Sequence, residues 1–382
     1  MRKLKNLFFV VIILMNLNLL VFSKNKKTTD TQQSKNSSQT ASNPDSPSKK
    51  ALNIIVSHIK NGDSDVKSYA IEALSKTHNP KLIPIIKKYL NDQSKYVKIS
   101  TVKALWELGD VGSISKLYEV INDIPSENAL ANDPLTQIKI ISQNKIREKA
   151  IETLVDLIGI KANKTLLDLK ENDNFAQIRD VASRELAKIG YKNEIENFYN
   201  ALNSKDEEIR NQAAISLVRI CPEDGSKIIA TVKKEKSIRV KMLLLDSLKC
   251  AKLNKKDEEE IIKYSEDENQ TLRYKAISVL SNSNNDYVIQ KLKKTYEDSP
   301  DINIKLLILK KLLSEQNITL TESDAEYLNS IDKSEIKRRF IEISNFIPKI
   351  SEKYLINYLE DQDPYVQIDS AIKIIEMESK ND

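Results

Sequence analysis

Ten times along the 382 residues the same short pattern returns: an apolar residue, a basic one directly after it, and a small or apolar one four places on. A small and an apolar residue usually follow at seven and eight places. Val66, Val97, Ile146, Ile178, Ile209, Val240, Leu272, Ile304, Ile336 and Val366 take the first place, here position 0, at separations of 31, 49, 32, 31, 31, 32, 32, 32 and 30 residues. Side chains at 0, +4, +7 and +8 share one face of a helix with 3.6 residues per turn, so each occurrence predicts a helix. An earlier apolar period in each unit, such as Leu82, Ile85, Ile86 and Leu90, or Ile195, Phe198, Tyr199 and Leu202, predicts a partner helix before it. Between the two lies a polar turn, as in Asn61-Gly62-Asp63, Asn91-Asp92-Gln93 or Asp361-Gln362-Asp363, whose side chains can accept from the free N–H groups that open a helix. Gly109, Gly159 and Gly190 come 12 or 13 residues after position 0, where a helix ends on a left-handed cap. Two helices of this size cannot close a core alone, so each pair must stack on the next. With only six glycines in the chain, the pattern confines it to an all-α stack of about ten helix pairs.

Segments such as Asp92 to Val111 (DQSKYVKISTVKALWELGDV) and Asp206 to Ile220 (DEEIRNQAAISLVRI) resemble HEAT repeats, in particular the short bacterial type first associated with phycobilisome lyases. The resemblance covers about residues 51–379, and the period fits less well with armadillo or tetratricopeptide units. It implies a right-handed superhelical solenoid of the armadillo/HEAT type, with the second helix of each pair on the concave face. Nine of the ten units carry Lys or Arg at +1, Gln367 being the exception. In HEAT proteins the equivalent residue pairs with the acidic turn of the same or the adjacent unit, which implies an internal ladder rather than a binding stripe.

Residues 1–6 are basic, residues 7–22 apolar apart from Asn16 and Asn18, and Val21-Phe22-Ser23 offers small residues for cleavage, an order that predicts an export signal over 1–23. An uncleaved anchor through residues 7–22 is the alternative, and would tether the chain to the inner membrane. Residues 24–50 hold a single alanine as their only apolar side chain, and predict a flexible polar linker ahead of a repeat domain over 51–382. Of the formal charge of +5, the first five residues carry +3 and residues 24–50 carry +4, which leaves −2 for the repeats. A phosphate-tracking surface is therefore not implied, and no nucleic-acid partner is expected.

The 49-residue separation leaves some 18 extra residues in the third unit, expected as a loop insertion near 123–142. Pro125 and Pro134 argue against one continuous helix there, and Ile138, Ile140 and Ile141 could dock on the stack or on a partner. A second candidate surface is the cluster Lys305, Lys310, Lys311, Lys337, Arg338 and Arg339 from two adjacent second helices, with Lys311 at a position that should point inward. Trp106 and the recurring tyrosines fit core positions. Cys221 and Cys250 have no metal-type spacing; they lie near the ends of neighbouring units, yet stacked helices are about 8–10 Å apart and a disulfide needs Cα atoms within about 7 Å, so the sequence leaves their pairing open.

The two histidines, His58 and His78, both lie in the first unit, and no glycine pattern fits a nucleotide or nucleophile motif. We therefore expect no catalytic residues, cofactor or metal, and read the chain as a non-catalytic protein-interaction scaffold of the bacterial cell envelope. Charge-led attachment to envelope polysaccharide or anionic lipid is the alternative, and a lyase-like enzyme the remoter one.

Overall fold

The computed structural model describes residues 46–126 and 133–379; the export signal and residues 24–45 of the expected linker lie outside them. Twenty α-helices are described, two per unit, and none of them is long and apolar enough to cross a membrane. The first helices of the ten units are α1 (Pro47–Asn61), α3 (Ile83–Ile86, continued on both sides by 3-10 turns), α5 (Ser115–Ile121), α7 (Asn163–Asn172), α9 (Lys192–Ala201), α11 (Ser226–Lys234), α13 (Lys255–Ser265), α15 (Asp286–Asp298), α17 (Glu322–Ser330) and α19 (Pro348–Tyr358). The second helices are α2 (Ser64–Ser75), α4 (Lys95–Glu107), α6 (Pro134–Ile158), α8 (Ala176–Lys188), α10 (Glu207–Ile220), α12 (Ile238–Ser247), α14 (Gln270–Leu280), α16 (Ile302–Ser314), α18 (Ser334–Ile343) and α20 (Pro364–Glu378). The first helix begins at Pro47, capped by Ser46, so the polar linker ends a few residues earlier than its composition suggests.

Position 0 is the third residue of nearly every second helix, and the polar turn residue three places before it is the cap. Asp63 accepts from Asp65 and Val66, Asn269 from Thr271 and Leu272, and Ser94, Asp206, Ser237, Asp301 and Asp363 do the same in their units. At the other end the chain turns through the left-handed region: His78, Gly109, Gly190, Cys221 and Gln316 all have positive φ, each twelve residues after position 0, with Gly159 one place later. Around Gly109 and Gly190 an added Cβ would meet nothing within 4 Å, so glycine is there for its backbone freedom rather than for space.

Each second helix packs on the next, and side chains two units apart also meet: Arg219 of α10 reaches Asp156 of α6 at 3.2 Å, and Arg339 of α18 reaches the Tyr274 hydroxyl of α14 at 3.3 Å. Such contacts can form only on the inside of a bend, so the second helices line the concave side. The bend closes. α1 lies along α20, α20 packs on α2, and a single apolar cluster runs from Ala51–Leu108 into Leu306–Ile374. At this seam Arg338 sits between the rings of Tyr69 and Tyr365 at 5.5 and 5.8 Å, bonds Asp369 at 2.7 Å and donates to the Tyr69 hydroxyl at 2.9 Å. Tyr69 in turn donates to Asp369 and packs edge-on against Tyr365. An open solenoid must cover both ends with polar capping repeats; here the first and last units cover one another.

Of the insertion at 123–142, expected as a loop, the part from Pro134 onward is helix. Asp133 caps it, Pro134 fills the first turn where its missing N–H costs nothing, and no Gly or Pro interrupts the sequence up to Ile158. The second helix of the third unit is therefore 25 residues long, against 13 for its neighbours α4 and α8. Cys221 and Cys250 are joined as a disulfide with Cα atoms 5.4 Å apart. The spacing of packed helices does not apply to them, because Cys221 is the left-handed residue that ends α10 and Cys250 closes a 3-10 turn after α12, where the chain paths converge.

Candidate interaction surfaces

The basic column at +1 is an internal ladder. Lys67 bonds Asp92 at 3.2 Å, Arg210 grips Glu235 through two nitrogens at 2.9 and 3.1 Å, and Lys337 holds Asp361 at 2.7 Å, in each case the turn of the following unit. Arg179 and Arg273 donate instead to carbonyls of their own turns, and Lys241 and Lys305 lie over the rings of Tyr264 and Tyr296. The deepest rung is Arg147 with Asp173, a pair 1% exposed on both sides, whose guanidinium also donates to the Ile121 carbonyl at 2.7 Å and to Asn144 at 3.1 Å. Gln367, the exception in the sequence, stands where the following unit is the first one; it meets His58 of α1 at 2.6 Å and donates to the Asp361 carbonyl of its own turn at 2.5 Å.

This ladder and the seam absorb much of the C-terminal cation cluster. Lys337 is held by Asp332 and Asp361; burial opposes its charge, but the two carboxylates outweigh it and raise its pKa. Arg338 belongs to the seam, where burial likewise opposes the charge and Asp369 overcomes it. Lys305 faces Tyr296. The structure brings Lys310, Lys311 and Arg339 together on the concave side, with Lys249, Tyr274 and Phe346, around a cleft of about 600 Å³. Within it Lys249, Lys311 and Arg339 are paired with Asp246, Glu315 and Glu342, which leaves the exposed Lys310 as the cation there with no ion pair among the described residues.

The third unit offers a different surface. Ile140 is buried against the stack, while Ile138 and Ile141 are 59% and 50% exposed. Leu135, not among the candidates, is 69% exposed and extends the same stripe by three residues, a spacing that keeps the three on one side of α6. Ile124 adds to it, because Gln143 of α6 donates to the carbonyl of the adjacent Asp123 at 2.8 Å. The result is three large aliphatics in water on one side of a helix nearly twice the length of its neighbours, with the exposed Ile124 on the chain segment that precedes it. The sequence signal for Leu135 was present, an apolar residue every third place after a helix-starting proline.

A dense charged lattice occupies the concave side of units three to five. Glu185 is fully buried between Arg184 and Arg219, and Arg219 also reaches the Glu152 carbonyl at 3.1 Å. Burial pushes the Glu152 carboxyl up despite its arginine neighbours. Every member has a partner, so the lattice acts as a brace. Among the described residues there is no group of three or more His, Cys, Asp or Glu placed to hold a metal ion.

Comparison with known proteins finds a repeat of this kind in the first part of the chain. A family model described as HEAT repeats matches residues 52–131, the first two units and the start of the third. The chain carries HEAT repeats. Beyond the matched segment most second helices open on the same kind of side-chain cap, α8 and α18 excepted, and carry a basic residue at +1, Gln367 excepted. A solved structure of the Pds5–Scc1 complex is similar at 14% identity with a TM-score of 0.29, over 84% of this chain and 59% of that one, a likeness too slight to argue from. This chain thus spans less than two thirds of that solved chain. No curated protein is significantly similar.

Proposed function

We propose that this HEAT-repeat protein is a protein-binding scaffold of the cell envelope, and that it engages its partner through the long helix α6. The observation that carries this reading is the stripe of Leu135, Ile138 and Ile141 beside Ile124. Large aliphatics held in water on one helix face are a cost to a lone protein and a normal anchor for a partner. Two features support an envelope setting: the signal-like order of residues 1–23, and a disulfide, a bond that persists in oxidising compartments. A helical stack suits binding because its surface is long and rigid.

The test is site-specific photo-crosslinking in the native envelope, with the probe at Ile138 and, as a control, at Lys60 on α1. The reading expects one protein adduct at Ile138, absent at Lys60 and lost on Leu135→Asp. Equal labelling at both positions, lipid adducts alone, or no adduct at Ile138 overturns it.

A further inference from the structure

A cleft of about 630 Å³ opens between α9 and α11, where units five and six meet. Its charged lining is mostly basic: Lys205, Arg210, Lys227, Lys234 and Lys236, against Glu196 and Glu235. Arg210 is taken up by Glu235, and Lys227 by Glu196 and the Tyr199 ring at 4.9 Å. Lys205, Lys234 and Lys236 are exposed and have no ion-pair partner among the described residues, so three ammonium groups remain around one concavity.

The repeat itself does not require this. A cleft of the same construction, about 740 Å³, lies between units seven and eight, and there Arg273, Lys291 and Lys294 are matched by Glu266, Asp298 and Asp301. Aligning the units on position 0 puts Lys227 opposite Lys291 and Arg210 opposite Arg273, so the frames coincide. In that register Lys234 stands where unit eight has Asp298, Lys205 where unit seven has Glu268, and Lys236 where unit eight has Pro300. The cavity comes from the fold, and its excess positive charge is absent from the matching cleft of units seven and eight.

We propose that this cleft docks an acidic peptide segment of a protein partner. The inference rests on the scaffold reading and deepens it by naming the partner's chemistry. The free cations are lysines, point charges that suit carboxylates strung along a chain. The one arginine, whose planar fork would favour phosphate, is already committed to Glu235. The Asn200 amide, exposed and with no side-chain partner among the described residues, is offered to a peptide backbone, and Tyr199 gives the cleft an apolar wall.

Fluorescence anisotropy of the full chain with a labelled octapeptide of alternating Asp and Glu tests this. The triple variant Lys205→Ala, Lys234→Ala, Lys236→Ala is compared with a charge-matched control, Lys60→Ala, Lys161→Ala, Lys164→Ala, with circular dichroism confirming that both fold. The expected result is binding that weakens roughly tenfold in the first and stays within about twofold in the second, with no binding of an Asn/Gln octapeptide. Equal loss in both variants, no binding by the parent chain, or displacement of the peptide by inorganic phosphate at equimolar concentration overturns the proposal. Partner capture at Ile138 that persists in the cleft variant would sink this inference and leave the scaffold reading standing.

Discussion

Replacing Arg338 by alanine should loosen the first unit of the chain, 269 residues upstream, as much as the last. Arg338 makes a 2.7 Å bond to Asp369, a 2.9 Å bond to the Tyr69 hydroxyl, and stacks on two tyrosine rings. Charge-assisted bonds of this kind contribute about 1.5–3 kcal/mol when shielded. The side chain is 40% exposed, so water and salt reduce the effect, and we take about 1–2 kcal/mol as the loss. If the seam opens as a local unit, that loss raises amide exchange there by roughly five- to thirtyfold. Hydrogen exchange read by mass spectrometry should then show α1 and α2 losing protection together with α19 and α20, while α9 to α12, on the far side of the stack, keep theirs. In an open solenoid the first unit would not feel a change in the ninth. Unchanged protection in α1 and α2, with a response confined to α18–α20, would refute the closure.

Reducing the Cys221–Cys250 bond, or replacing both cysteines by serine, releases a loop of separation 29 and should cost about 3 kcal/mol, seen as a lower denaturant midpoint at unchanged helicity. Asp173→Ala leaves the buried Arg147 charge unpaired and should destabilise by about 3–5 kcal/mol, whereas the double change Arg147→Met, Asp173→Leu should recover most of it; a double variant as unstable as the single one would show that packing, not charge, dominates the site. Tyr69 and Tyr199 have pKa values pushed up to about 12, first by burial and then by nearby carboxylates. Both favour the neutral phenol in the folded chain, so their contribution is intact below pH 10 and is lost as pH rises from about 10 to 12. Tyr69→Phe should flatten that alkaline decline in a thermal melt, and an unaltered profile would remove Tyr69 from the explanation.

The helix pairs were legible because their causes are local. A cap at Asp63, Asn269 or Asp363 acts on an N–H two or three residues away, and the 3.6-residue period reports which face a helix must bury. Pro134 marked a helix start for the same reason, although the insertion it opens was expected as a loop. The ladder was legible one step less directly, since Lys67 and Asp92 occupy fixed places in neighbouring repeats of nearly constant length. The candidate sites were the least legible part. Ile138 and Ile141 were picked out with Ile140, and only packing separates the buried one from the exposed two. Lys337 and Arg338 stood in a candidate surface cluster, Lys337 also in the +1 column, and only packing shows that Asp361 and Asp369 of the next unit take them both.

Ring closure, the disulfide and the cationic cleft were decided by tertiary structure alone. The sequence fixes the fold of each pair and the order of stacking, both of which depend on near neighbours. Whether unit ten meets unit one depends on the bend summed over ten interfaces, a quantity to which each repeat contributes a small angle and no residue a visible signal. His58 beside Gln367, and Tyr69 beside Arg338, are ordinary residues of their own units until that sum brings the two ends together.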